Sequence, residues 1–170
     1  MDTLHYLAYG SNLWPARLAA RVGSIAVVGT ARLADHALRF DKRGADGSGK
    51  CTLEMAAGAV SYGAVYSISE AARLVLDRIE GVGQGYVASW IDVDGFPPCY
   101  VYLADDRWRD SGLVPFDWYK MLVQAGARHH RFPAGYLSQI DAVAACPDTD
   151  LVRAARNLRD LEIDPATGMG

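Results

Sequence analysis

Two short segments, far apart in the chain, carry residue types that can do chemistry together. Tyr9-Gly10-Ser11-Asn12-Leu13 follows a short apolar run, and Glu80-Gly81-Val82 closes an amphipathic helical pattern. A turn running into a helix leaves backbone N–H groups unpaired and pointed outward. Gly10 adds no side chain to obstruct a ligand there. Glu80 supplies one carboxylate. Such a pair suits a reaction that needs an oxyanion site and a proton shuttle but neither a metal nor a covalent nucleophile.

Local patterns predict the elements that hold these segments. His5 to Tyr9 reads as a first strand, and Leu13 to Val22 as a short helix with Ser11 or Asn12 as N-cap and Pro15 in its first turn. Ser24 to Leu33, His36 to Phe40, Cys51 to Ala57 and Ala59 to Ile68 read as four further strands. The glycine-rich, charged stretch Arg43 to Lys50 between them reads as a mobile loop. Ser69 is placed to cap a helix through Ile79, with Leu74, Leu76 and Ile79 on its buried side. Tyr86 to Val93 and Cys99 to Leu103 flank the turn signal Asp94-Gly95 and predict a hairpin. Three helices follow, over Phe116 to Ala127, Pro133 to Ala144 and Asp150 to Leu161. The expected class is therefore α+β with a mostly antiparallel sheet. A single domain is expected over residues 1–163, with a frayed tail over 164–170.

Composition narrows the function. At 170 residues, 51% hydrophobic and 22% charged, the chain is long enough for one domain with a full core. A net charge of -3 lacks the basic excess of a nucleic-acid binder. No apolar run is long enough to cross a bilayer. Met1 to His5 lacks the basic start and apolar stretch of a signal peptide. Cys51, Cys99 and Cys146 are odd in number and widely spaced, which suits reduced thiols in a cytoplasmic protein. Trp108, Phe116 and Trp118 are expected to form an exposed apolar patch suited to a homodimer.

Other signals are declined. Gly44 to Lys50 approaches phosphate-loop spacing, but Cys51 stands where the magnesium-binding hydroxyl belongs and a strand follows where a helix is needed. Gly81-x-Gly83-x-Gly85 lacks the dinucleotide spacing. Asp92-Val93-Asp94-Gly95 lacks the later ligands of a calcium loop. Arg128-His129-His130-Arg131 reads as the cationic end of a helix.

Taken in order, Tyr9-Gly10-Ser11-Asn12-Leu13, Gly63-Ala64-Val65-Tyr66, Leu76 to Val82, Tyr86, Tyr119-Lys120 and Pro133-Ala134-Gly135-Tyr136 resemble the γ-glutamylcyclotransferase-like family, with its AIG2-like and γ-glutamylamine cyclotransferase relatives. The likeness runs from about Leu4 to Ala145. It departs from the pattern at the glycine-rich stretch Gly81-Val82-Gly83-Gln84-Gly85. The resemblance implies a small mixed β-barrel with flanking helices. It also implies an enzyme, without cofactor or metal, that releases 5-oxoproline and a free amine or amino acid from a γ-glutamyl compound, as in glutathione metabolism. Glu80 would be the acid/base; Tyr9, Gly10, Ser11, Asn12, Leu13, Tyr86 and Tyr136 would bind the γ-glutamyl group. For efficient shuttling Glu80 is expected to be largely buried beside Tyr86 or other apolar walls. Two alternatives share the pocket: a non-catalytic small-metabolite binding module, and a related enzyme that removes a γ-glutamyl group from a dedicated metabolite. The leaving group is open, and its selection is expected to fall to the Arg43–Lys50 segment and the C-terminal helices.

Overall fold

The computed structural model describes residues 3–162. Strand β1 (Thr3–Ala8) ends in a 3-10 turn over Ser11–Leu13, and α1 (Pro15–Val22) follows. Two long strands come next, β2 (Ala26–Arg43) and β3 (Gly49–Ser69), then α2 (Glu70–Glu80). The hairpin β4 (Tyr86–Ile91) and β5 (Cys99–Ala104) leads to helices α3 (Asp117–His129), α4 (Ala134–Asp141) and α5 (Leu151–Glu162). The strand order is β2-β3-β1-β5-β4; every pairing is antiparallel except β1 with β5. The α+β class and the mixed, mostly antiparallel sheet therefore hold. The barrel does not close: β2 and β4 are edges of an open sheet.

Four expected short strands are really two. Asp35 and Gly58 both take positive φ, and Asp35 Oδ1 accepts a 2.7 Å bond from the Gly58 N–H, so the register shifts between Ala34 and His36 without ending the pair. The Arg43–Lys50 segment is a pinned turn rather than a mobile loop. Asp46 accepts from the Ser48 N–H at 3.0 Å and from Lys50 Nζ at 2.8 Å, and Ser48 is buried.

The core lies along β1, β3 and β5, where Leu7, Val65, Tyr66, Ile68 and Val101 are at most 1% exposed. Helix α2 starts as expected: Ser69 Oγ accepts from the Ala72 N–H at 3.1 Å. Leu76 is fully buried, but Leu74 and Ile79 face solvent. A second tie holds the other end of α2. Asp77 Oδ1 accepts from the Tyr100 hydroxyl at 2.8 Å and from the Tyr102 hydroxyl at 2.9 Å, fixing the turn before Glu80 to β5. Helix α3 presses on the 3-10 turn at Gly126, where an added Cβ would lie 2.7 Å from both Leu13 C and Trp14 N. Helix α5 docks on α1 through Arg17 and Asp160 at 2.6 Å. The expected exposed tryptophan patch is absent from the described residues, because Trp118 is buried and donates Nε1–H to Asp148 at 2.8 Å. No described helix is long and apolar enough to cross a membrane.

Candidate active site

Strand β1 carries Tyr6, Tyr9 follows its end on the way to the 3-10 turn, and α2 delivers Glu80 beside that turn. Together with Gly10, Ser11, Asn12, Cys51, Tyr86, Tyr102 and Tyr119 they line a small hollow. Glu80 is the only carboxylate among those residues. The Leu13 N–H is spent on Gly10 O at 3.0 Å and the Trp14 N–H on Ser11 O at 3.4 Å. The N–H groups of Gly10, Ser11 and Asn12 have no partner among the described residues. The turn thus keeps three donors for a ligand, which is the anion-binding property of a helix start.

The expected capping by Ser11 or Asn12 is not made. Helix α1 begins after an extended Trp14, with Pro15 at its first position. Both side chains are thereby released for other work. Asn12 spends its amide on the carboxylate: Nδ2 donates to Glu80 Oε1 at 3.1 Å and to the Tyr6 hydroxyl at 2.9 Å, while Oδ1 accepts from Arg21 Nη1 at 2.8 Å. Arg21 Nη1 also donates to Glu80 Oε1 at 2.9 Å. Both contacts to Glu80 fall on Oε1, and Oε2 has no partner among the described residues. An anion at a helix C-terminus is disfavoured by the helix dipole, so Glu80 gains from a cation supplied by another helix. The Glu80 side chain is 18% exposed, and the wall beside it is guanidinium and amide as well as tyrosine, not purely apolar.

The other ionisable groups are poor proton shuttles. Burial pushes the phenols of Tyr6, Tyr9, Tyr86, Tyr102 and Tyr119 upward, so they stay protonated near neutrality. Most are already engaged: Tyr86 donates to Cys51 O at 2.6 Å, Tyr9 donates to Tyr102 O, and Tyr119 accepts the Cys51 N–H at 3.0 Å. Burial likewise pushes the Cys51 thiol up to about 12, which leaves it without the thiolate a nucleophile requires.

Two residues expected in the site lie outside it. The Leu13 side chain is fully buried in the core, and its carbonyl accepts from the Tyr66 hydroxyl at 2.8 Å. Tyr136 packs on Tyr62, with ring centroids 5.1 Å apart, and on Phe132 at 5.9 Å, and it does not line the hollow. Tyr6, Arg21, Cys51, Tyr102 and Tyr119 were not singled out as site residues by sequence.

The hollow opens onto a wider basin that shares Ser11, Glu80, Tyr86 and Tyr119 with it. The turn from Arg43 to Lys50 and helix α5 both reach the rim of this basin.

The open mixed sheet flanked by helices is a fold shared with solved γ-glutamyl cyclotransferases. The solved structure of a γ-glutamyl cyclotransferase superposes with a TM-score of 0.78 and 28% identity, over 87% of this chain and 92% of that one. The human protein loc79017 gives 0.77 and 28%, over 88% and 91%. A yeast γ-glutamyl cyclotransferase specific to glutathione shares the fold at a TM-score of 0.56 and 14% identity, over 82% and 94%. No family model matches the chain, and no curated protein does. The chain has the γ-glutamylcyclotransferase fold and is similar to proteins of that family.

Proposed function

We propose that this protein cyclises γ-glutamyl amides to 5-oxoproline and releases the attached amine. One observation carries the reading: a single carboxylate with a free oxygen shares a small hollow with three unpaired backbone N–H groups. In a γ-glutamyl amide the nucleophile is the substrate's own α-amine, so no side chain needs to be acylated. Glu80 Oε2 takes a proton from the α-ammonium. The amine then attacks the γ-carbonyl carbon and closes the five-membered ring, while the carbonyl oxygen collects negative charge. The N–H groups of Gly10, Ser11 and Asn12 receive that charge; one such donor is typically worth about 2.7–4 kcal/mol of barrier. Glu80 returns the proton to the departing nitrogen as the old C–N bond breaks, and it then relays the second proton shed by the ring nitrogen, so the lactam keeps one N–H and the amine leaves as its ammonium. Holding amine and carbonyl in contact can contribute ~7–11 kcal/mol.

The test is 5-oxoproline release from γ-glutamyl amides, amino acids and glutathione by wild type and Glu80→Gln. Glutamine still accepts the bonds that Arg21 and Asn12 make, so the fold is retained, but it cannot carry the proton. Loss of a general acid/base typically lowers kcat by about 10²–10⁴-fold. Near-normal release by Glu80→Gln defeats the proposal.

A further inference from the structure

The basin outside the hollow is strongly cationic. Eight arginine and lysine side chains line it, against the two carboxylates of Asp46 and Glu80. Five of the cations are satisfied by ion pairs: Arg17 with Asp160, Arg21 with Glu80, Arg43 with Asp110, Lys50 with Asp46 and Arg153 with Asp148. Lys42, Arg78 and Arg156 have no ion pair among the described residues.

Lys42 stands out because it is only 6% exposed. Its ammonium lies 4.3 Å from the centroid of the Tyr86 ring and 6.0 Å from that of Trp108, with no hydrogen bond to a described residue. Room for it is made by Gly85. A Cβ there would lie 2.7 Å from Lys42 Cε and 2.8 Å from Nζ, and the φ of +134° is one that side chains rarely adopt. The glycine-rich stretch after Glu80 therefore has a physical reason in the lysine it accommodates. Burial pulls this ammonium below the usual lysine range, with the charges of Glu80 and Asp46 opposing that effect. The ammonium touches ring faces but has no carboxylate or hydrogen-bond acceptor in contact among the described residues, so its N–H groups stay open toward the basin. An anion arriving from outside would complete it.

The two cavities divide the substrate. On the cyclisation reading the γ-glutamyl end enters the inner hollow, and the shared residues Ser11, Glu80, Tyr86 and Tyr119 mark the scissile amide. Lys42 lines the basin only, on the side where the leaving group must extend. Arg78, in the last turn of α2, and Arg156, on α5, are exposed cations farther out. We propose that the leaving amine carries at least two acidic groups, carboxylate or phosphate, and that Lys42 is the residue that selects the first of them. This inference rests on the cyclisation reading for the position of the amide.

The experiment compares kcat/KM for γ-glutamylethylamide, γ-glutamylalanine, γ-glutamylglutamate and γ-glutamylphosphoserine, the last two separating carboxylate from phosphate recognition. Each added acidic group is expected to raise kcat/KM about tenfold or more at low salt. Raising the salt to about 0.5 M compresses that series. In Lys42→Met the ratio between the diacidic and uncharged substrates is expected to fall about 10- to 100-fold. Lys42→Gln makes the same test should the methionine variant fold poorly, and Lys42→Arg restores the ratio. Wild type preferring the ethylamide, or a ratio unchanged in Lys42→Met, overturns the inference. If no substrate yields 5-oxoproline, the cyclisation reading has failed, and calorimetry with glutamate and phosphoserine decides this one instead. Binding that Lys42→Met abolishes supports it; no binding, or binding equal in the variant, overturns it.

Discussion

Arg21 is the residue whose removal most directly probes how the site is held. Its Nη1 makes two bonds, 2.8 Å to Asn12 Oδ1 and 2.9 Å to Glu80 Oε1, and the Arg21 and Glu80 side chains are 21% and 18% exposed. Exposed pairs are worth about 0.2–1 kcal/mol, and buried charge-assisted bonds about 1.5–3 kcal/mol. A pair shielded to this degree falls between, so Arg21→Met is expected to cost about 1.5 kcal/mol. For a domain of this size that lowers Tm by about 3–6 °C. The kinetic loss is expected to exceed the stability loss. Without Arg21 the carboxylate is held only by the Asn12 amide, which itself loses its anchor. A shift of about 1 Å at a reacting group can cost about 100-fold. Under the cyclisation reading, 5-oxoproline release from a γ-glutamyl amide of measured turnover should show kcat reduced about 100-fold, with KM moving much less. Arg21→Lys keeps the charge and should recover a large part of kcat. A variant that loses Tm but keeps kcat shows Arg21 to be merely structural. One that raises KM alone shows a substrate contact rather than a device for orienting Glu80. Either result refutes the reasoning.

Three further outcomes follow from the packing. Gly126→Ala forces a Cβ to within 2.7 Å of the Leu13 and Trp14 backbone, so it should push α3 off the 3-10 turn, lowering Tm and turnover together, read by thermal melts and steady-state kinetics. Burial holds the His130 imidazole below its ordinary value, at a site where Nε2 lies 2.9 Å from both Leu13 O and the Tyr66 hydroxyl. The unfolded chain therefore binds the extra proton more readily. This contribution to stability is complete above about pH 6.5 and is lost as pH falls from there through the lower folded-state pKa. Melts from neutral to mildly acidic pH should show the loss, and His130→Gln should flatten it. The Tyr136 hydroxyl is buried without a hydrogen-bond partner among the described residues, so Tyr136→Phe should leave Tm unchanged or higher and should not alter turnover.

What could be read from the sequence was local. The strand–turn–helix around Gly10, the Ser69 cap and the β4–β5 hairpin each depend on neighbours within a few residues, and each is in place. The joined strands were missed because a bulge interrupts alternation without breaking the ladder, and Asp35 with Gly58 looks like a stop when read along the chain. The exposed Leu74 and Ile79 have a similar cause: helical spacing identifies a face, but which flank of that face meets the sheet is decided by the partner. Glu80 was found because it is attached to a motif. Arg21, Lys42 and Cys51 were not, since nothing in their own surroundings distinguishes them. They reach the site by long-range pairing, Lys42 and Cys51 from the β2–β3 hairpin and Arg21 from α1. Tyr136 shows the reverse error, a residue of suitable type and position that the fold spends on packing against Tyr62.

The placement of charge separates two jobs that one pocket must do. The inner hollow is built mostly from tyrosines with engaged hydroxyls and from backbone amides, so it is rigid, and its one carboxylate is clamped through Oε1 alone. Rigidity is what a proximity mechanism requires, because the substrate brings its own nucleophile and the protein contributes mainly position. The outer basin draws side chains from many elements and turns, among them Lys42 at the end of β2, the pinned turn at Asp46, Arg78 on α2 and Arg156 on α5. None of these touches Glu80 Oε2, so their identities can vary without disturbing the proton shuttle. On this view the fold keeps the glutamyl end constant and leaves the amine end adjustable. On the selectivity proposed above, the adjustment in this chain is toward anions, with the largely buried Lys42 over the Tyr86 ring as its physical basis.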